Sequence, residues 1–515
     1  MHRSETVRVI APDEGRRLSA LLWGALIGLW GVQAWRPQLS FPRQGILEAL
    51  LALGILGLGA TLAFRSRRGN GTLSAPAVHG PRRGAMATAA LGLGVVFYAW
   101  VRWAVEGFPA VGNDNFGTLV GCAVAAASAF FLLGAWRRCG DATGGADNGS
   151  PAVSASESGA DALAPLLTFF HAFVSAAALA CGLHALAQYL FLYDQALRAL
   201  LESIGPAEPT PLQAGLIHHL RLKRVASVWG DPNTLAGFSA LSLAASIHCA
   251  GAWRRHRRGE TERGAMAAWL TGLGVMSIPA ALVAIALSGS RGGILDALLV
   301  VGLYAVLRSR PRRPRLAATA VAAAVMVAAT GPARGPASTV DVATAEQAPE
   351  QGPLFSFLTR IDTVRERVHY ARVGAAITAR NPLFGSGPGA VDLYYGRYKP
   401  AEARESKYLH NWPLQVAAEY GVTGLLLTCG LFAGLLRPSL WRRARGDSPL
   451  RPVLVMAAVF LFDALLQFSF NQREMMVLFG VLTGILLQGG ADAGQAAGKA
   501  WHRFAIAGVT VFLSA

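Results

Sequence analysis

The sequence predicts an all-α polytopic membrane protein of about twelve transmembrane helices. Three observations carry this. Of 515 residues, 53% are hydrophobic and only 15% are charged, with a mean hydropathy of +0.38. A soluble chain of this length carries ~25% charged residues. Apolar runs of roughly 18 residues or more, the length that crosses a bilayer, recur along the chain. The formal charge of +17 and the pI of 10.4 come from basic residues lying between those runs, which points to a membrane and not to nucleic acid.

Candidate spans lie at 18–35, 45–64, 84–104, 117–136, 165–192, 233–253, 266–288, 292–307, 314–330, 412–436, 452–471 and 475–489. A last run, 504–515, is a thirteenth span or the start of one. The first run follows Arg16-Arg17 without a small-x-small cleavage site and reads as an uncleaved span. With the N-terminus in the cytoplasm, the inner segments hold 28 basic residues and the short outer segments three, as the positive-inside rule requires. The chain then divides into N-terminal spans (1–136), a disordered Gly/Ala/Ser/Asp-rich cytoplasmic linker (137–164) and central spans with an outer loop at 193–232 (165–330). A large outer loop containing short helices (331–411) and C-terminal spans (412–515) complete it. The five cysteines show neither CxxC nor metal spacing.

The two long outer segments and Arg291 carry fifteen cations on the face where orientation does not call for them. Four motifs lie there. The first runs Arg221-Leu-Lys223-Arg224-Val-Ala-Ser-Val-Trp-Gly-Asp231-Pro-Asn233 into the sixth span, with Asp-Pro-Asn as a helix-start signal. Its basic residues are either interfacial anchors or ligands for an anion. The second, Ser288-Gly-Ser-Arg291-Gly-Gly293, is a tight turn. Its glycines allow close backbone approach to a ligand and its arginine can fork a phosphate. The third, Asn381-Pro-Leu-Phe-Gly385-Ser-Gly387-Pro-Gly389, follows an amphipathic helix at 360–380 whose five arginines read as a solvated basic face on the membrane. The fourth, His410-Asn411-Trp-Pro-Leu-Gln415-Val-Ala-Ala-Glu419-Tyr-Gly421, leads into the tenth span. His410 is a candidate general base or an interfacial cap. Glu419 needs a partner inside a span, and one continuous helix would set it half a turn away from His410. No GxxxxGK[ST], DxD or HExxH pattern occurs.

In order and on one side, R-V-x-S-x-W-G-D-P-N, S-G-S-R-G-G, R-N-P-L-F-G-S-G-P-G and H-N-W-P-L-Q-V-A-A-E-Y-G resemble the O-antigen ligase and polymerase superfamily over roughly residues 185–490. The resemblance implies a GT-C-like glycosyltransferase of the bacterial inner membrane with its active site facing the periplasm. Such enzymes move a glycan from an undecaprenyl pyrophosphate carrier to an acceptor hydroxyl, with no metal or other cofactor. The acceptor is a lipid A core sugar in ligases and a second lipid-linked glycan in O-antigen or exopolysaccharide polymerases. A protein O-oligosaccharyltransferase branch also exists. By motif position, Arg224 and Arg291 become pyrophosphate ligands and His410 activates or orients the acceptor. Arg221, Lys223, Asn233, Asn411 and Glu419 are the candidate substrate contacts. Which of Arg221, Lys223 and Arg224 meets the phosphate stays open at this point. A lipid-linked glycan transporter is the alternative from another class. It predicts cations through the membrane depth, where Arg102 stands almost alone.

Overall fold

The computed structural model describes residues 164–205, 208–259, 265–308, 362–401, 403, 405–445, 448–467, 470 and 472–490. The first four predicted spans, nearly all of the 137–164 linker, the 314–330 span and the 504–515 run lie outside these residues. Among the described residues every regular element is helical: α1 (Ala164–Ala187), α2 (Tyr193–Ile204), α3 (Pro211–Leu222), α4 (Pro232–Arg257), α5 (Ala265–Ser288) and α6 (Arg291–Arg308). They continue as α7 (Asp362–Arg380), α8 (Ala390–Tyr398), α9 (Trp412–Leu435), α10 (Pro438–Arg443), α11 (Leu450–Leu466) and α12 (Arg473–Gly490). By length and composition four helical stretches can cross a membrane: Leu166–Ile204, Pro232–Arg257, Thr271–Ser288 and Trp412–Arg443. The predicted span at 165–192 does not stop where its apolar run stops. A π-helical turn at Gln188–Leu192 carries it without a break into α2, whose first residue, Tyr193, is buried.

The chain forms two compact units. One comprises Val174–Glu419 with Val459–Ser469, and all four motifs fall in it as far as Glu419. Its centre is α4. Asp231 caps this helix, accepting bonds from Thr234 N (2.7 Å) and Thr234 Oγ1 (2.9 Å). Pro232 fills the first helical position. Four arginine and histidine side chains close its last turn, where cations offset the helix dipole. Small residues let neighbours approach closely, as membrane helices require when lipid is as apolar as the core. A Cβ on Gly274 would collide with Cys249, and one on Gly293 would collide with Ala236. Hydroxyls join the same helices: Ser277 Oγ donates to Ser246 Oγ (2.7 Å), and Ser246 Oγ lies 3.3 Å from Ser175 Oγ.

The second unit takes α1 up to Phe173, Tyr420–Ala458 and Phe470 onward. Phe432, Phe470 and Phe479 pack ring against ring, with centroids 5.0–6.0 Å apart. Arg443 donates to the carbonyl of Gly489 (2.7 Å) near the end of α12. A cation there satisfies one of the helix's last carbonyls.

Gly293→Ala forces α6 away from α4. We expect it to lower stability by about 1–3 kcal/mol, the usual cost of overpacking. Gly251→Ala, in open space inside α4, should instead raise stability by about 0.4–1 kcal/mol. Thermal unfolding in detergent micelles measures both.

Candidate active site

Arg224 sits in a segment bent twice by left-handed, non-glycine residues, Lys223 (φ 47°) and Ser227 (φ 52°). Several bonds hold the bends. Tyr193 Oη donates to the Arg224 carbonyl (2.7 Å), and Val225 N donates to the Leu287 carbonyl (3.2 Å). Ser227 N donates to Gln188 Oε1 (2.8 Å), and His184 Nδ1 lies 2.9 Å from Ser227 Oγ. The π-helical turn thus has a use: Gln188 and Tyr193, at either end of it, both fasten the Arg224 segment.

The three clustered cations have different surroundings. Arg221 is exposed at the end of α3. Lys223 is paired with Asp194 at 2.8 Å and lies over the Tyr189 ring. Arg224 reaches the second motif, donating from Nε to the Ser288 carbonyl (2.9 Å) and from Nη2 to Asn233 Oδ1 (3.2 Å). Asn233 therefore meets the arginine directly.

In the second motif Gly289 takes φ 60°, and α6 begins at Arg291 with its half-buried side chain. Ser290 Oγ accepts from Gly293 N (3.3 Å) and so caps the helix. The expectation that this motif's glycines bring backbone to a ligand needs correction at two positions. Gly292 and Gly293 are buried against Gln467 and Ala236, so packing of α6 requires them; a Cβ on Gly292 would come within 2.7 Å of Gln467 Nε2.

The third and fourth motifs dock on each other. Gly421 leaves helical geometry (φ 69°, ψ −170°), which breaks the α9 ladder. The carbonyls of Ala418 and Glu419 accept instead from Ser386 N and Gly387 N (both 2.9 Å). The Glu419 carboxylate takes bonds from Gln415 Nε2 (3.1 Å) and from the amides of Gly389 and Val391. Glu419 is 2% exposed, so it braces the loop turn, and the expectation of a substrate contact there finds no open surface. Asn411 likewise caps α9, accepting from Leu414 N (2.9 Å) and donating to the Leu465 carbonyl (3.1 Å). Val373, Ile377, Val391, Tyr395, Leu409 and Ala418 fill the core of this loop module.

His410 stands at the module's edge in left-handed backbone (φ 50°). Its ring stacks on Tyr370 (centroids 5.0 Å apart, interplanar angle 24°). Burial pushes its pKa down to about 4, and the Arg367 guanidinium pushes the same way against the opposing pull of Asp231. The imidazole is therefore neutral at pH 7. Asp231 is two residues from Asn233, so the first motif lies within electrostatic reach of the fourth.

Sequence reasoning missed several participants. Arg367, on the helix read as a solvated basic face, is half-buried near His410, Tyr370 and Asp463; Arg365 and Arg372 do fit that reading and are exposed. Asp296 and Asp463 are buried side by side within hydrogen-bonding reach. An acidic residue inside an apolar run is a signal in itself, and that rule finds both. Among the described residues no three His, Cys, Asp or Glu side chains group to hold a metal ion.

Residues 275–429 match the family model described as O-antigen ligase. The match supports the O-antigen ligase superfamily. At this level it also supports a ligase- or polymerase-type function in a bacterial membrane. The O-antigen ligase match begins inside α5, ends inside α9 and contains the second, third and fourth motifs. Arg224 lies outside it and joins it through the bond to Ser288. A comparison with curated proteins finds no match.

Replacing Glu419 by Leu removes the acceptor for two loop amides. Deuterium exchange at Gly389 and Val391 should quicken about tenfold, the worth of one hydrogen bond of about 1–1.5 kcal/mol, while Glu419→Gln keeps most of the protection. Unchanged exchange in the Leu variant contradicts the bracing role.

Proposed function

We propose that the chain transfers a glycan from undecaprenyl pyrophosphate to an acceptor hydroxyl on a lipid A core sugar, at the periplasmic face of the bacterial inner membrane and without a metal ion. The observation that carries this reading is the bond from Arg224 Nε to the Ser288 carbonyl, which brings two arginine-bearing motifs together on the outer side of the expected topology. In the proposed reaction the acceptor oxygen attacks the anomeric carbon while the bond from that carbon to the pyrophosphate oxygen breaks. Negative charge grows on the leaving pyrophosphate. Arg224 and Arg291, held in place before the reaction, stabilise that charge more in the transition state than in the ground state. The acceptor proton passes to the imidazole of His410, whose ring is seated on Tyr370. Inversion at the anomeric carbon requires His410 and the arginines to flank it from opposite sides.

Geometry separates the first-motif cations in this proposal. Arg224 is assigned to the pyrophosphate, Asn233 to positioning Arg224, and Lys223 to its ion pair with Asp194. Arg221, exposed on α3, is left as a peripheral contact for the donor.

Purified protein in nanodiscs, given one defined lipid-linked donor with either lipid A core or a second donor molecule, tests the reading. Single additions to lipid A core support a ligase; products lengthening on the donor support a polymerase; no transfer to either sinks both. In the productive assay Arg224→Ala or Arg291→Ala should lower the rate by about 10²–10³. His410→Ala should lower it by about 10²–10⁴. Lys223→Ala should cost far less than Arg224→Ala. Equal losses at 223 and 224 contradict the assignment.

A further inference from the structure

The last turn of α11 meets three of the elements that carry the motifs. Asn411, next to His410, donates from Nδ2 to the Leu465 carbonyl (3.1 Å). Two residues on, the Gln467 side chain packs on Gly292, next to Arg291: a Cβ built on that glycine would lie 2.7 Å from Gln467 Nε2 and 3.7 Å from its Cδ. On α4, one turn beyond Asn233, a Cβ on Gly237 would lie 3.4 Å from Asp463 Oδ2. All of these residues belong to one compact unit. The stretch from Leu465 to Gln467 thus runs from the neighbour of the candidate base to the neighbour of the candidate anion ligand. Two residue steps span at most about 7 Å.

Gln467 is 5% exposed, and among the described residues its side chain has no hydrogen-bond partner. Its backbone amide is used, donating to the Asp463 carbonyl (2.8 Å) and closing α11. A carboxamide offers two donor hydrogens and an acceptor oxygen. Burying it without partners is costly, so packing alone would favour an apolar side chain at this position. We propose that the Gln467 amide is a substrate-contacting group that reads the sugar bearing the pyrophosphate, through hydrogen bonds to a hydroxyl or acetamido group near the reacting carbon. The inference rests on the proposed transfer, in which Arg291 holds the pyrophosphate and His410 faces the acceptor from the other side. The reacting sugar must then lie between them, and Gln467 stands against that gap. A neutral amide suits this partner. Arginine forks match phosphate oxygens, whereas sugar hydroxyls both donate and accept, as a carboxamide does. The missing side chain of Gly292 is what leaves room for the amide beside Arg291.

Gln467→Met keeps the length and shape of the side chain and removes the amide. Because the amide has no bond to lose, the variant in nanodiscs should unfold at the wild-type temperature or above it. Its transfer rate should fall about tenfold, the worth of one hydrogen bond. The decisive comparison uses one defined undecaprenyl pyrophosphate-linked donor and analogues that each lack one hydroxyl or the acetamido group of the first sugar. Wild type should lose about tenfold on one of these analogues, and on that analogue Gln467→Met should match wild type. A Met variant as fast as wild type on the full donor overturns the proposal. So does a loss of the same size on every donor, or a lowered unfolding temperature, which would make the amide a structural group. Gln467→Asn, whose amide is drawn back by one methylene, carries the same comparison where the Met variant does not fold. If wild type transfers from none of the donors, the transfer reading fails by itself. The contact is then judged by binding of the same series, and equal affinities of wild type and variant across it overturn the proposal.

Discussion

At Gly421 the backbone of α9 turns away from helical geometry, and two carbonyls lose the amides that would have bonded them one turn later. In apolar surroundings an unpaired carbonyl is costly, so another donor must be supplied. The glycine-rich turn at 385–389 supplies it through Ser386 N and Gly387 N, and the Glu419 carboxylate returns the bond to Gly389 and Val391. This exchange fixes the loop module on α9. The module's core, from Val373 to Leu409, then sets the position of α7, and with it Tyr370 and Arg367 beside His410. Glu419 thus acts on the site at one remove.

The cations of the four motifs and of the segments around them do not form one class. Lys223 is neutralised by Asp194, and Lys399 pairs with Glu405 at 2.9 Å. Arg380, Arg397 and Lys407 lie over the rings of Tyr394, Tyr398 and Tyr408 at 4.9 Å, 5.9 Å and 5.8 Å. There the negative ring face attracts them. These five serve the shape of the module or its neighbours. Arg224 differs because its guanidinium spans two motifs, and Arg367 because it is half-buried beside a histidine. The excess of positive charge is therefore a poor guide to chemistry until each cation's surroundings are known.

Helix positions were legible because apolar runs report them directly: α4, α5, α6 and α9 fall within a few residues of the predicted spans. The motif order was legible too, since turn residues and lone charges stand out between such runs. What was hidden depends on tertiary placement. Arg367 reads like Arg365 and Arg372 in sequence, and only its burial in the folded chain separates it from them. Gly292 and Gly293 advertise a constraint, yet the sequence does not say whether a ligand or a helix makes the close approach; Gln467 and Ala236 make it. The extension of α1 past residue 192 was hidden because α2 is amphipathic and its polar face breaks the apolar run.

Backbone strain gives an independent view of the same places. Among the described residues the non-glycine positions with positive φ are Lys223, Ser227 and His410. Each such position costs on the order of 1–3 kcal/mol and persists only where its surroundings over-determine it. Those surroundings are on view: Asp194 for Lys223, Gln188 and His184 for Ser227, and for His410 the Tyr370 stack between the Leu409 amide bonded to Gln415 and the Asn411 cap. Two of these residues bracket Arg224, and the third is the candidate base. Lys223 closes α3, where a left-handed residue is an ordinary helix ending. Ser227 and His410 end no helix, and in the proposed transfer such held conformations would put a side chain in place before charge develops.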